Sequence, residues 1–159
     1  TQYTSSLING AMQKAARDMS LETAALSQST IDQTVVDAVS AVTPSTAQVS
    51  LTKLSYDDFE DVGEPEEFTD GNTNDICDNN EVFVDANGNG TWDADRGESG
   101  LGGGSDALLY TARVTYPRFF PMANLVGMDE NIVIEASSVM RNQPYDEEDT
   151  SAAATGNCP

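Results

Sequence analysis

The sequence predicts an α+β fold in which two helices pack on one face of a small antiparallel sheet. Apolar residues recur every three to four positions over residues 3–19, which is the period of an amphipathic helix. Residues 106–116 and 131–141 instead alternate apolar and polar side chains, which is the period of a strand. Residues 57–105 are acidic and glycine-rich, so we expect a long loop inserted into this scaffold.

The helical pattern of residues 3–19 is already in progress at the first residue, which suits a helix that continues from a longer N-terminal segment. A second helix is predicted over residues 30–42, where Ser29 or Thr30 could act as the N-cap and Pro44 would stop the helix. Two adjacent helices followed by strands are typical of an α+β arrangement.

Three strands are predicted after the helices. Residues 47–56 form the first, residues 106–116 form the second, which Pro117 ends, and residues 131–141 form the third. The apolar residues 119–126 connect the last two strands. Core packing is their favoured use, and a contact patch for another protein is the alternative.

The length of 159 residues fits one domain, which we place at residues 1–145 with residues 57–105 as its insertion. Residues 146–159 form an acidic, Ala-rich tail. We expect this tail to be disordered unless Cys158 ties it to the rest of the protein.

The charge of the chain limits its partners. The formal net charge is −20, from 27 acidic and 7 basic residues, and there is no histidine. This field repels phosphates and anionic surfaces, so nucleic acid is excluded as a partner and cations are favoured. His-based triads and His-ligated zinc sites are excluded as well. No apolar run reaches the about 20 residues that span a bilayer, and the chain does not open with a signal peptide.

Catalysis by paired carboxylates is not expected. Such chemistry requires a pocket that separates two pKa values, whereas the candidate pairs are predicted to lie in a solvated acidic run. These pairs are Asp57 with Asp58 and Glu66 with Glu67. Nucleophilic catalysis by a serine is not expected either, because Ser5, Ser6 and Ser105 have no histidine to act as their base. We therefore interpret the protein as non-enzymatic.

The two cysteines are Cys77 in the acidic loop and Cys158 near the end of the chain. They are too few to form a structural zinc site alone. In an exported protein the favoured interpretation is one disulfide that pins the tail to the loop, and two unpaired thiols are the alternative.

The most informative segment is the Asp- and Asn-rich stretch after Phe83. Its polar side chains stand two or four residues apart around Gly90, which turns oxygen atoms toward one point, as in loops that bind Ca²⁺. The candidate ligands are Asp85, Asn87, Asn89, Thr91, Asp93, Asp95 and Glu98. A weaker second cluster, which could complete that site or hold another ion, comprises Asp70, Asn72, Asn74, Asp75 and Asp78.

Compared with an EF-hand, the loop from Asp85 has Arg96 at position twelve in place of a bidentate glutamate, and no helical pattern flanks it. We therefore favour a static calcium loop of the extracellular kind, closed by Asp93, Asp95 or Glu98. A solvated acidic turn is the alternative. Mg²⁺ is disfavoured because asparagine and backbone carbonyls suit a larger coordination sphere. The aromatic residues expected to anchor the loop, rather than to bind a ligand, are Phe68, Phe83 and Trp92.

Three segments of the last third of the chain share a pattern with a known family. They are residues 107–116, the run Pro117-Arg118-Phe119-Phe120-Pro121, and residues 132–145, which end in Ala-Ser-Ser-Val-Met-Arg-Asn-Gln-Pro-Tyr. Together with Ala15-Ala16-Arg17-Asp18 of the first helix, they resemble the TadE-like pilus assembly proteins. These are pilin-like minor components of the bacterial tight-adherence (Tad) pilus. The resemblance covers about residues 1–56 and 106–145.

The resemblance implies a pilin-like fold and an exported structural subunit whose N-terminal helix packs against other subunits of a bacterial surface filament. The apolar N-terminal helix that members insert into the membrane is missing here, so membrane contact is expected only through an upstream segment removed earlier. The expected location is the cell surface or the extracellular space. The alternatives are a subunit that polymerises by itself and a secreted calcium-dependent adhesin or glycan-binding module.

Overall fold

Two helices and six strands make up the regular structure of the residues that this computed structural model describes, which are 2–19, 24–118, 129–142 and 153–159. The helices are α1 (Gln2–Met19) and α2 (Ala24–Ser40). The strands are β1 (Gln48–Tyr56), β2 (Val82–Asp85), β3 (Glu98–Ser99), β4 (Ala107–Pro117), β5 (Asn131–Arg141) and β6 (Ala154–Asn157). The predicted α+β class is confirmed.

Helices α1 and α2 pack against each other through the apolar faces that the helical period defines. The buried residues are Ile8, Met12, Ala15 and Ala16 of α1 and Ile31, Val35 and Val39 of α2. Burial of each large aliphatic side chain contributes about 1.5–3 kcal/mol, so this face stabilises the pair far more than helix propensity does.

The start of α2 differs from the prediction. The helix begins at Ala24, so Ser29 and Thr30 lie inside it and the prediction that one of them is the N-cap is wrong. The run Ala24-Ala25-Leu26 has high helix propensity, which extends the helix upstream of Ser29 and Thr30. The Thr34 hydroxyl donates to the Thr30 carbonyl at 2.9 Å, a bond typical of a helix interior.

Four strands form one antiparallel sheet in the order β3-β1-β4-β5. Leu54 of β1 pairs with Ser99 of β3 in an antiparallel register. Strand β4 buries alternate side chains, as its sequence period predicts; these are Leu108, Tyr110, Ala112 and Val114. Both strands predicted at residues 106–116 and 131–141 are therefore confirmed, with bounds that differ by one residue at most.

Strands β2 and β6 form a second, two-stranded antiparallel sheet, in which Val82 lies opposite Asn157 and Asp85 lies opposite Ala154. Next to β6, Cys158 forms a disulfide with Cys77, with the two Cα atoms 5.3 Å apart. The favoured disulfide is confirmed, and the cysteine does tie down the end of the chain. Because residues 57–105 also contain β2, β3 and a 3-10 turn, the insertion is more regular than a simple loop.

The chain divides into two compact units. One comprises Thr1–Lys53 with Leu109–Met140, and the other comprises Leu54–Leu108 with Arg141–Pro159. The predicted connector at residues 119–126 and much of the predicted tail lie outside the described residues. Within the described ranges, neither helix combines the length and the apolar character that a bilayer span requires.

A partly buried polar cluster centred on Asp32 lies in the first unit. One carboxylate oxygen of Asp32 accepts from Lys53 Nζ at 2.6 Å, and the other accepts from the Tyr110 hydroxyl at 2.8 Å. Lys53 Nζ also lies 5.7 Å from the centre of the Tyr110 ring. Tyr110 is fully buried, and this burial, with the Asp32 hydrogen bond, raises the pKa of its phenol. The cluster thus joins α2 to β1 and β4.

Candidate metal centre

The loop after β2 folds back over the carboxylate of Asp85. Asp85 is the last residue of β2 and is 6% exposed. Its Oδ1 accepts from the Asn89 N–H at 3.1 Å, and its Oδ2 accepts from the Gly90 N–H at 3.0 Å. Gly90 has a φ of 79°, a left-handed conformation that glycine adopts readily. The backbone is therefore turned tightly around the first predicted ligand.

Two side-chain amides of this loop converge on Asp93. The Nδ2 atoms of Asn87 and Asn89 donate to the same oxygen of Asp93, at 3.0 and 2.5 Å. These hydrogen bonds, that of Asn87 first, hold the pKa of the Asp93 carboxyl below its usual value. A cation between these groups would require both amides to turn their oxygen atoms inward, in place of the two hydrogen bonds.

The remaining predicted ligands lie at the edges of the loop. The Thr91 N–H and hydroxyl both donate to Asn89 Oδ1, at 2.7 and 2.6 Å. Asp95 accepts from the Tyr56 hydroxyl at 2.9 Å, which contributes to a raised Tyr56 pKa after the larger effect of burial. Glu98 is exposed on β3.

An open hollow of about 470 Å³ collects most of the predicted ligands. The members of the predicted set that line it are Asn87, Asn89, Asp93, Asp95 and Glu98. Asp85 and Thr91 do not line it. The structure therefore brings the later part of the predicted set to one open surface, with Asp85 buried behind the turn.

The second predicted cluster folds around Asp70 in the same manner. The Asp70 carboxylate accepts four backbone N–H groups, from residues 72–75, at 2.6–3.3 Å. These bonds, that of Asp75 first, lower the pKa of Asp70. The Nδ2 atoms of Asn72 and Asn74 donate to Asp78, at 2.9 and 3.1 Å. Asp75 is exposed and joins the cluster through its N–H.

Glu66 is a residue whose role the sequence did not reveal. The prediction that it lies in a solvated run is wrong, because Glu66 is 1% exposed. Its Oε1 accepts from the Ala86 N–H at 2.8 Å, and its Oε2 accepts from the Asp93 N–H at 3.0 Å. It comes from a segment well before the loop that it contacts, and it stands four residues before Asp70, as Glu81 stands four residues before Asp85.

Glu81 is a second residue absent from the predicted set. Its Oε1 accepts from the Gly71 N–H at 2.7 Å, and its Oε2 accepts from the Asp78 N–H at 3.4 Å. A sequence signal did exist, because Glu81 stands eleven residues after Asp70, which is the position of the closing glutamate in an EF-hand loop.

The aromatic residues of this region pack together with the disulfide. Phe83 is buried with the disulfide, and Phe68 and Trp92 pack against this cluster. The rings of Phe68 and Trp92 meet edge to face at 5.9 Å. The Trp92 indole N–H donates to the carbonyl of Glu66 at 2.8 Å. This packing matches the expected anchoring role.

Arg96, at position twelve of the loop from Asp85, is engaged elsewhere. Its guanidinium donates to Asp61 at 2.8 Å and to the Pro65 carbonyl at 2.8 and 3.1 Å. Among the described residues, no three Asp, Glu or Cys side chains converge closely enough to hold a metal by themselves. A cation in either loop would therefore need amide or backbone oxygen atoms as additional ligands.

Comparison of the chain with protein-family models, with curated proteins and with solved structures finds no match.

Proposed function

We propose that this chain is an exported, non-enzymatic subunit of a bacterial surface filament of the Tad-pilus type, and that Ca²⁺ orders its acidic loops. The observation that carries the calcium part is the convergence of Asn87 and Asn89 on Asp93, in a loop that is folded around Asp85. These are the oxygen-bearing side chains that Ca²⁺ prefers.

The role of the ion in this proposal is static. The acidic loops carry few apolar side chains, and the chain has a net charge of −20. A divalent cation would offset part of the local repulsion between carboxylates. It would thereby hold a surface in one shape for contacts with other subunits or with a target surface.

The filament part is supported by the location of exposed apolar residues and by the disulfide. Leu7 of α1 is 38% exposed, and α1 is the helix proposed to pack against other subunits. The Cys77–Cys158 disulfide is typical of proteins that fold in an oxidising compartment, as an exported subunit does.

A subunit that polymerises by itself is a second candidate, which the edge of the sheet favours. Among the strands of the described residues, β5 is the last in the sheet order, and Val133 and Val139 on it are 49% and 40% exposed. An edge strand with exposed valines can pair with another chain.

The filament proposal is tested with purified protein and with pili. We expect the protein to co-purify with Tad pili from cells that express it, and to form no fibres alone under the electron microscope. Concentration-dependent fibres of the pure protein would favour the second candidate. A monomer that is absent from pili, yet binds glycans on an array when Ca²⁺ is present, would replace both with an adhesin.

A further inference from the structure

The first acidic loop is held together by a glutamate at its end. Counted from Asp70 as position one, the N–H groups of positions two and nine, Gly71 and Asp78, donate to the two oxygens of Glu81. Glu81 is itself position twelve, where an EF-hand loop carries its bidentate ligand.

The second acidic loop has the same two bonds to a glutamate from elsewhere in the chain. Counted from Asp85, the N–H groups of positions two and nine, Ala86 and Asp93, donate to the two oxygens of Glu66. Position twelve of this loop is Arg96, which bonds to Asp61 and Pro65 instead. Glu66 thus makes in the second loop the two bonds that Glu81, at position twelve, makes in the first.

The equivalence of the two loops extends to their other positions. In each loop the asparagine amides of positions three and five donate to the aspartate of position nine. In each, position six is left-handed, with a φ of 59° at Asp75 and 79° at Gly90. The two loops therefore present corresponding oxygen-bearing groups in corresponding places.

The environment of Glu66 independently indicates a cation. Its side chain is fully buried, and among the described residues no lysine or arginine forms an ion pair with it. Buried carboxylates are rare without a positive partner, because removing the charge from water is costly. The neighbouring Glu67, by contrast, has a side chain that is 78% exposed and lies 3.8 Å from Arg96.

We infer that Glu66 supplies the carboxylate that closes the second loop around a divalent cation such as Ca²⁺, as Glu81 does in the first loop. The protein then holds two such cations, one in each loop. This inference rests on the proposed calcium binding, and it adds to it the closing ligand of each site.

The test uses the oxidised wild-type protein and three charge-removing variants, Glu66→Gln, Glu81→Gln and Glu67→Gln. Glu67→Gln is the matched control, because it removes the same charge from the adjacent exposed side chain, whose ion pair is with Arg96 and not with a proposed ligand. Calorimetry counts the Ca²⁺ ions bound. Tb³⁺ luminescence excited through Trp92, which is position eight of the second loop, reports on that loop.

We expect two bound Ca²⁺ for the wild type and for Glu67→Gln. Glu66→Gln should weaken the Trp92-excited Tb³⁺ binding at least about tenfold and leave one Ca²⁺ site, while Glu81→Gln should remove one Ca²⁺ site without changing the Tb³⁺ signal. A Glu66→Gln protein that binds both ions like Glu67→Gln would overturn the inference and leave calcium binding intact. A wild type that binds no Ca²⁺ would overturn both.

Because Glu66 is buried, the folding of Glu66→Gln is checked by the near-ultraviolet circular dichroism of Trp92. If that signal is lost, Glu66→Asp replaces it, since this variant keeps the charge but shortens the side chain by one methylene. We expect the same loss of at least about tenfold in Tb³⁺ affinity. Unchanged affinity in a folded Glu66→Asp protein contradicts the closing role.

Discussion

Cys158 is bonded to Cys77 across 81 residues of sequence, and the Cys158 N–H also donates to the carbonyl of Glu81 at 2.8 Å. The disulfide and this hydrogen bond attach the end of the chain to both sides of the last turn of the first acidic loop. The pairing of β6 with β2 continues from this attachment.

Removal of the disulfide should destabilise the protein substantially. With both Cys77 and Cys158 replaced by serine, we expect the free energy of unfolding to fall by about 2–5 kcal/mol, because the unfolded chain gains the freedom of a long loop. Urea unfolding followed by Trp92 fluorescence measures the change. A reductant should shift the wild-type midpoint and leave the midpoint of the variant unchanged. Equal midpoints for the two proteins in the absence of reductant would contradict the prediction.

Calcium should raise the melting temperature. At roughly 1 mM free Ca²⁺ and a Kd of about 10–100 µM, each bound ion stabilises the folded state by about 1.4–2.7 kcal/mol. Thermal melts with Ca²⁺, with a chelator and with the same concentration of Mg²⁺ measure this effect. We expect Mg²⁺ to stabilise less than Ca²⁺. An unchanged melting temperature after chelation would rule out a structural role for the ion.

Asp32→Ala should destabilise the first unit by about 1–3 kcal/mol, because it leaves the buried Tyr110 hydroxyl and the Lys53 ammonium without their shared acceptor. Asp37→Ala on the same helix is the matched control. Asp37 accepts from the Gln33 side chain at an exposed position, so its loss should cost little. Chemical unfolding of both variants gives the comparison, and similar values would refute a special role for Asp32.

The stability of the protein should fall in alkali. Burial raises the pKa of Tyr110 and of Tyr56, and hydrogen bonds to Asp32 and Asp95 add to this effect. Because the folded pKa lies above the unfolded value of about 10, the stabilisation is complete below that pH and is lost as the pH rises above it.

Absorbance of the phenolate and circular dichroism, recorded together above pH 10, test this relation. We expect these two tyrosines to ionise only as the chain unfolds. Tyr110→Phe should make the stability less dependent on pH in this range. If phenolate forms on both residues while the fold persists, the buried environment described for them is wrong.

Strands β4 and β5 could be predicted from the sequence because alternation of apolar residues is a local signal that burial enforces. The same holds for the turn from Asp85 to Asp93, where each contact spans only a few residues. The start of α2 at Ala24 could not be predicted, because the polar pair Ser29 and Thr30 resembles an N-cap even when better helix formers precede it.

Contacts between distant segments could not be predicted in this way. The pairing of β2 with β6 joins residues more than sixty positions apart, and β6 carries no strand pattern of its own. The acidic run around Glu66 predicts a surface residue. In the fold, Glu66 is buried and accepts hydrogen bonds from the second loop. Glu81 is different, since its spacing of eleven residues from Asp70 is a local signal that the sequence itself contains.

The disulfide also makes residues 77–158 a closed covalent ring, and this ring contains the whole of the second acidic loop. Most of the first loop, Asp70–Ile76, lies outside it. A protease that cuts once inside the ring leaves a single molecule with its pieces still attached. One cut at residues 70–76 leaves the preceding chain without a covalent bond to the rest. Two loops that are alike in hydrogen bonding thus differ in their tolerance of a single nick.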